Sequence, residues 1–162
     1  PLTGLYNRRF LEEFFARELA LAQREQSPIS LALIDLDHFK LLNDEYGHLE
    51  GDDVLKGVAQ HLLENLRTSD AVFRIGGEEF LLILPRADAQ EARQRLETIC
   101  RDLAAHPLPT RGGARYVTLS AGLALWPEQG LALDELLQVA DAALYQAKHE
   151  GRNRVCALAA HS

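Results

Sequence analysis

Ala71-Val72-Phe73-Arg74-Ile75-Gly76-Gly77-Glu78-Glu79-Phe80-Leu81-Leu82-Ile83-Leu84 is the stretch that decides the fold class. Two short apolar runs, 71–75 and 80–84, flank Gly76-Gly77-Glu78-Glu79. Glycine supplies the positive φ of a tight antiparallel connection, so the stretch predicts a β-hairpin. A doubly wound parallel fold joins its strands through helices, and a hairpin in mid-chain argues against it.

Upstream of the hairpin, residues 29–36 form an apolar run of strand length, read as a buried strand. Residues 39–46 predict a short helix ending at Gly47, a residue suited to a left-handed cap. Residues 52–66 predict a second helix with Val54, Leu55, Val58, Leu62 and Leu66 inward. Before all of these, Phe10, Leu11, Phe14, Phe15, Leu19 and Ala22 recur at helical spacing over 8–24, and Ser27-Pro28 breaks the pattern. Downstream, Asp88 and Glu91 resemble a capping box opening a helix to about residue 105. Residues 107–113 read as a loop and 116–126 as a long strand. A helix follows over 133–149, with Leu133, Leu136, Leu137, Ala140 and Leu144 on one face, and Gly151 stops it. Residues 153–158 form a last strand. The centre is therefore β-α-β-β-α-β, the ferredoxin-like plan of an α+β fold. A largely antiparallel sheet with helices on one face is expected.

The 162 residues suit one domain, 1–162, and 47% apolar content supplies a core. The chain starts at Pro1 and has no Met, so it is expected to be a domain of a longer protein. No run approaches the ~20 apolar residues of a membrane span, and no secretory leader is visible. No direct membrane contact by this domain is expected, although a full-length parent could be anchored. A net charge of −7 without a Lys/Arg stripe argues against a nucleic-acid-binding surface. It does not exclude nucleotides. Cys100 and Cys156 stand far apart, which suits a reducing, cytoplasmic setting, and the six histidines lack the spacing of a zinc site.

Asp35 and Asp37 close the first buried strand. Alternation puts both on one face if the strand extends that far. An acid in Leu33-Ile34-Asp35-Leu36-Asp37 is costly unless paired or metal-bound. Glu78 and Glu79 sit in the hairpin turn, which the ferredoxin-like plan makes a neighbour of the first strand. Carboxylates from both elements could converge on one or two magnesium ions, which take hard oxygen ligands and substrate phosphates. A plain turn explains Gly76-Gly77 but not two adjacent, mutually repelling glutamates.

No P-loop sequence is present. Residues 36–40 pass from strand to helix, and free N–H groups at a helix start bind anions. Lys40 in that first turn opposes the helix dipole, which an anionic partner would explain. Lys148 and Arg152 flank the end of the last helix, where they could serve the dipole or reach a triphosphate. Asn43 and Asp52 could read a guanine; on the residues alone the plainer reading, a helix-surface residue and an N-cap, is preferred.

Several blocks together resemble the GGDEF family of diguanylate cyclases. Residues 1–9, Pro-Leu-Thr-Gly-Leu-Tyr-Asn-Arg-Arg, are similar to the family's opening segment, without the acidic residue that usually precedes it. Asp35-Leu36-Asp37-His38-Phe39-Lys40, Asn43-Asp44, Gly47-His48 and Gly51-Asp52 match its first core block. Gly76-Gly77-Glu78-Glu79-Phe80 is the GGEEF form of the naming motif. Ala140-Asp141, Tyr145-Gln146-Ala147-Lys148 and Gly151-Arg152-Asn153 match its closing block.

The resemblance implies a palm of nucleotide-cyclase type: a central, largely antiparallel sheet with surrounding helices. It implies magnesium, or manganese, up to two ions per site, held by Asp35, the Leu36 carbonyl, Glu78 and Glu79. Glu78 and Lys40 would be catalytic, Glu78 taking the proton of the attacking 3′-hydroxyl. Phe39, Asn43, His48, Asp52, Lys148 and Arg152 would bind GTP, with Asn43 and Asp52 on the guanine. Two GTP molecules would become cyclic di-GMP across a symmetric homodimer, under an N-terminal sensor or receiver domain. Arg67-Thr68-Ser69-Asp70 resembles the family's inhibitory product site, with Arg67 and Asp70 gripping cyclic di-GMP; on its own it is a surface ion pair worth little. The rival readings are a catalytically silent module binding GTP or cyclic di-GMP, and a different ferredoxin-like enzyme such as a purine nucleotide cyclase or polymerase palm.

Overall fold

A computed structural model describes residues 7–159. The elements run α1 (Arg8–Glu25), β1 (Ile29–Leu36), α2 (Phe39–Tyr46), α3 (His48–Glu64), β2 (Ala71–Arg74), β3 (Glu79–Pro85), α4 (Ala89–Ala105), β4 (Leu108–Thr110), β5 (Gly113–Arg115), β6 (Leu119–Trp126), α5 (Leu133–His149) and β7 (Arg154–Ala157). The main sheet has the order β2-β3-β1-β6-β7. Its β2/β3, β3/β1 and β1/β6 pairs are antiparallel, and only β7 joins in parallel, beside β6. Four of these strands, with α3 and α4 as crossovers, make the ferredoxin-like plan; β7 extends it.

All eight residues of β1 are buried, because side chains of both parities meet helices. Ala32, Ile34 and Leu36 join Val54, Val58 and Leu62 of α3 and Leu96, Ile99 and Leu103 of α4. Ile29, Leu31 and Leu33 join Leu11 and Phe15 of α1 and Leu136, Ala140 and Leu144 of α5. The helices therefore cover both faces of the sheet, not one. Gly122 of β6 lets α5 come close: a Cβ there would collide with the Ala140 carbonyl oxygen and the Leu144 nitrogen.

Three boundaries differ from expectation. Helix α3 begins at His48, directly after Gly47, whose φ of 91° turns the chain out of α2. Asp52 is thus inside the helix and not its N-cap. The expected loop at 107–113 is largely the two-stranded hairpin β4–β5, which runs on to Arg115. Strand β6 starts at Leu119, three residues later than the pattern suggested.

Candidate active site

The C-terminal end of β1 and the turn between β2 and β3 form the floor of the site. Register places Glu79 directly opposite Asp35, so the two carboxylates are cross-strand neighbours. The Leu36 N–H donates to the Glu78 carbonyl at 3.2 Å, fixing the turn against the end of β1. Arg74, which sequence reading passed over, holds the turn from below: its Nε donates to the Gly76 carbonyl at 3.1 Å and its Nη2 to the Gly77 carbonyl at 2.8 Å. The turn glycines do not adopt positive φ, contrary to expectation. A Cβ at Gly76 would come within 2.8 Å of Glu79 Oε1, the end of a flexible side chain that would have to shift.

Burial raises the Glu79 pKa, and Asp35 raises it further; Lys148 opposes them, and Glu78 and Asp141 add to the rise. Lys148, in the last turn of α5, places its ammonium on Asp35 Oδ2. The sequence motif had aimed this lysine at a triphosphate. Asp37 goes elsewhere: β1 ends before it, and its carboxylate accepts from Thr118 Oγ1 (2.6 Å), Ser120 Oγ (2.7 Å) and the Asn153 N–H (3.0 Å). It pins β1 to β6 and to the approach of β7. Among the described residues, no three His, Cys, Asp or Glu side chains surround one point as a protein-only metal cage would require. The donors nonetheless suit magnesium, which takes one or two carboxylates and completes its shell with water and phosphate. Two opposed carboxylates with a third alongside are short of positive charge.

Next to this floor, His38 (φ 58°) begins α2 without a side-chain cap. The first N–H groups of that helix are the ones a helix leaves unsatisfied. Lys40 is exposed beside them. The Phe39 ring is buried in the core, so only its backbone remains for a ligand. Beyond α5, Gly151 (φ 120°) and Arg152 (φ 65°) turn the chain and leave Arg152 exposed.

Helices α2 and α3 bring Asn43 against Gly51, where any Cβ would overlap Asn43 Oδ1. That oxygen is buried and accepts no hydrogen bond. A buried unpaired acceptor is costly, and a ligand N–H would relieve it. Asp52 is the next residue, half-buried, and His48 is exposed at the start of α3.

On the opposite edge, Asp70 Oδ2 accepts the Arg67 N–H at 2.8 Å and Arg95 Nη1 at 2.6 Å. The Arg67 guanidinium is 3.7 Å away and also donates to the Pro85 carbonyl. Asp70 Oδ1 is buried without a partner. Arg95 lies on α4, 25 residues from Asp70, and no local pattern announces it. The opening match at residues 1–6 lies outside the described residues.

The family model described as "Diguanylate cyclase, GGDEF domain" matches residues 1–154. Diguanylate cyclase DgcP of Pseudomonas aeruginosa is 43% identical over 155 residues, which is 96% of the chain and 23% of DgcP. The chain spans from 34% to 51% of other curated diguanylate cyclases it matches. A solved GGDEF domain of TpbB (YfiN) from P. aeruginosa superposes with a TM-score of 0.91 at 36% identity, covering 96% of this chain and 91% of that one. The GGDEF domain of DgcB from Caulobacter crescentus, solved in complex with c-di-GMP, gives 0.86 at 36% identity, with 96% and 92% covered.

Proposed function

Because the chain belongs to the GGDEF family of diguanylate cyclases, we propose that it condenses two GTP molecules into cyclic di-GMP and releases two pyrophosphates. The observation that carries this reading is the Asp35–Glu79 pair, opposed in register beside Glu78, with Glu79 pushed toward its neutral form. We assign to Asp35, the Leu36 carbonyl, Glu78 and Glu79 the holding of magnesium or manganese, up to two ions. Such a metal, when bound, offsets phosphate charge and makes a 3′-hydroxyl a better nucleophile.

The protein's own groups position and neutralise. Glu78 accepts the proton as each 3′-oxygen forms a bond to the α-phosphorus of the other GTP, and the bond to pyrophosphate breaks. Lys40 and the backbone N–H groups of Phe39 and Lys40 bind phosphate oxygens at the start of α2. Lys148 exchanges Asp35 for a phosphate oxygen, which frees Asp35 at the moment substrate arrives, and Arg152 joins it. Asp52 accepts from guanine N1–H and the 2-amino group, and Asn43 Oδ1 takes a further ligand N–H, with His48 at the rim. Adenine lacks donors at those two positions and would leave Asp52 unpaired, so ATP is rejected.

One chain holds one GTP, so the reaction needs two copies face to face in a symmetric dimer. The greater length of the relatives supports further N-terminal sequence, a sensor or receiver that governs pairing in the cytoplasm. Arg67 and Asp70, joined by Arg95, are assigned to cyclic di-GMP as feedback inhibitor; the unpaired Asp70 Oδ1 supports a guanine N–H there.

The test is chromatographic analysis of the product from GTP and Mg2+ at high protein concentration. Cyclic di-GMP from the wild type, absent with Asp35→Ala and with Glu78→Ala, supports the assignment. Magnesium-dependent GTP binding without product would leave a silent nucleotide-binding module.

A further inference from the structure

We propose that the β4–β5 hairpin is a positioning element for the guanine pocket, acting through Glu50, Arg115 and Tyr46; this rests on the assignment of Asn43 and Asp52 to the base. Glu50 is 6% exposed, in the first turn of α3, two residues before Asp52. Its carboxylate collects the hairpin: Oε2 accepts from Arg115 Nε (3.0 Å) and Thr110 Oγ1 (2.8 Å), and Oε1 accepts from the Gly112 N–H (2.6 Å). Arg115, then Thr110 and Gly112, hold the Glu50 carboxyl below its ordinary pKa against the cost of burial. Gly112 fits because a Cβ there would strike that same carboxylate.

The other side of Arg115 reaches α2. Its guanidinium lies 3.7 Å from the centre of the Tyr46 ring, at cation–π distance. Tyr46 is the last residue of α2, three after Asn43. A single arginine therefore bridges the end of the helix that carries Asn43 and the start of the helix that carries Asp52.

Two more contacts fasten the hairpin to α3. Arg111 makes a bidentate pair with Asp53, with Nε to Oδ2 at 2.9 Å and Nη2 to Oδ1 at 3.0 Å, while its N–H also donates to Oδ2. Leu108 packs on Gly57, where a Cβ would meet Leu108 Cδ2 at 3.2 Å. Asp52 is thus flanked in sequence by Glu50 and Asp53, both turned to the hairpin. Helices α2 and α3 are separated only by Gly47, and from α2 only Phe39 and the partly buried Leu42 reach the core they share, so contacts outside that core bear on their relative placement. Their relative placement is what a base clamped between Asn43 and Asp52 depends on, and the Glu50–Arg115–Tyr46 bridge sets it.

The experiment measures, by calorimetry with Mg2+, the Kd of the α,β-methylene analogues of GTP and of ITP, whose base lacks the 2-amino group. Wild type, Glu50→Gln, Arg115→Ala and Arg115→Lys are compared, each with its thermal midpoint. Loss of a charge-assisted bridge is expected to weaken the guanine analogue roughly tenfold in Glu50→Gln and Arg115→Ala. The inosine analogue should change much less, so the preference for guanine shrinks. Arg115→Lys, which keeps the charge and folds with the least disturbance, should recover part of it. Unchanged guanine affinity in a destabilised variant, or equal weakening of both analogues, would overturn the positioning role and leave a merely structural hairpin. A wild type that binds neither analogue would overturn the base assignment itself, and the positioning role with it.

Discussion

Glu79 faces Asp35 across the sheet, and its carboxyl holds a proton more tightly than the ordinary value of 4.5 implies, through burial first and Asp35 second. A group with a raised folded pKa stabilises the fold below its unfolded pKa and loses that contribution as pH rises through the folded value. At pH 7, above the ordinary value of 4.5, Glu79 has therefore lost part or all of that contribution and works against the fold. Metal-free Glu79→Gln should melt above the wild type at pH 7, and the gap should close as pH falls below 4.5. Thermal melts at both pH values check this, and a lower midpoint for the variant at pH 7 would contradict it. At this scale the sequence was informative where chemistry conflicts with context: acids inside an apolar strand end and two adjacent glutamates. The same signal misleads at Asp37, because its partners Thr118 and Ser120 lie 81 and 83 residues away. The cation on Asp35 was equally out of sight, since Lys148 is 113 residues distant.

Helix α5 carries Lys148 to Asp35 only because β6 offers Gly122 beneath it. With backbone atoms of Ala140 and Leu144 where a Cβ would go, Gly122→Ala forces helix and strand apart. Overpacking of this kind costs about 1–3 kcal/mol. Urea denaturation should show a lower midpoint at an unchanged m-value, and an unaltered midpoint would contradict the close packing. The Asp88–Glu91 capping pattern located α4. Helical periodicity located α1, α5 and the body of α3, because each buries one stripe. It missed the first turn of α3, which follows Gly47 without a side-chain cap. It also missed β4–β5, whose residues show no apolar alternation and which is held by Glu50 and Asp53 of another element.

Across the whole molecule, the order of elements around the mid-chain hairpin predicted the ferredoxin-like order of four strands. The covering of both sheet faces was encoded too, in the unbroken apolar run of β1, since a strand buried on both sides does not alternate. Helices α1 and α5 supply the second face. The proposed site lies at one end of this sheet, with the groups assigned to substrate on α2, on α3 and around the end of α5, and the carboxylates on β1 and the β2–β3 turn. Under the proposed function each copy would bring one such set, and condensation would be a reaction between copies.

The most direct measurement is the initial rate of pyrophosphate release from GTP with Mg2+, followed across protein concentration for the wild type and Asp35→Ala. The account predicts a rate that rises with the square of protein concentration at low concentration, vanishes without Mg2+ and is lost in Asp35→Ala. Release that is strictly first order in protein, or that persists in Asp35→Ala, would contradict it.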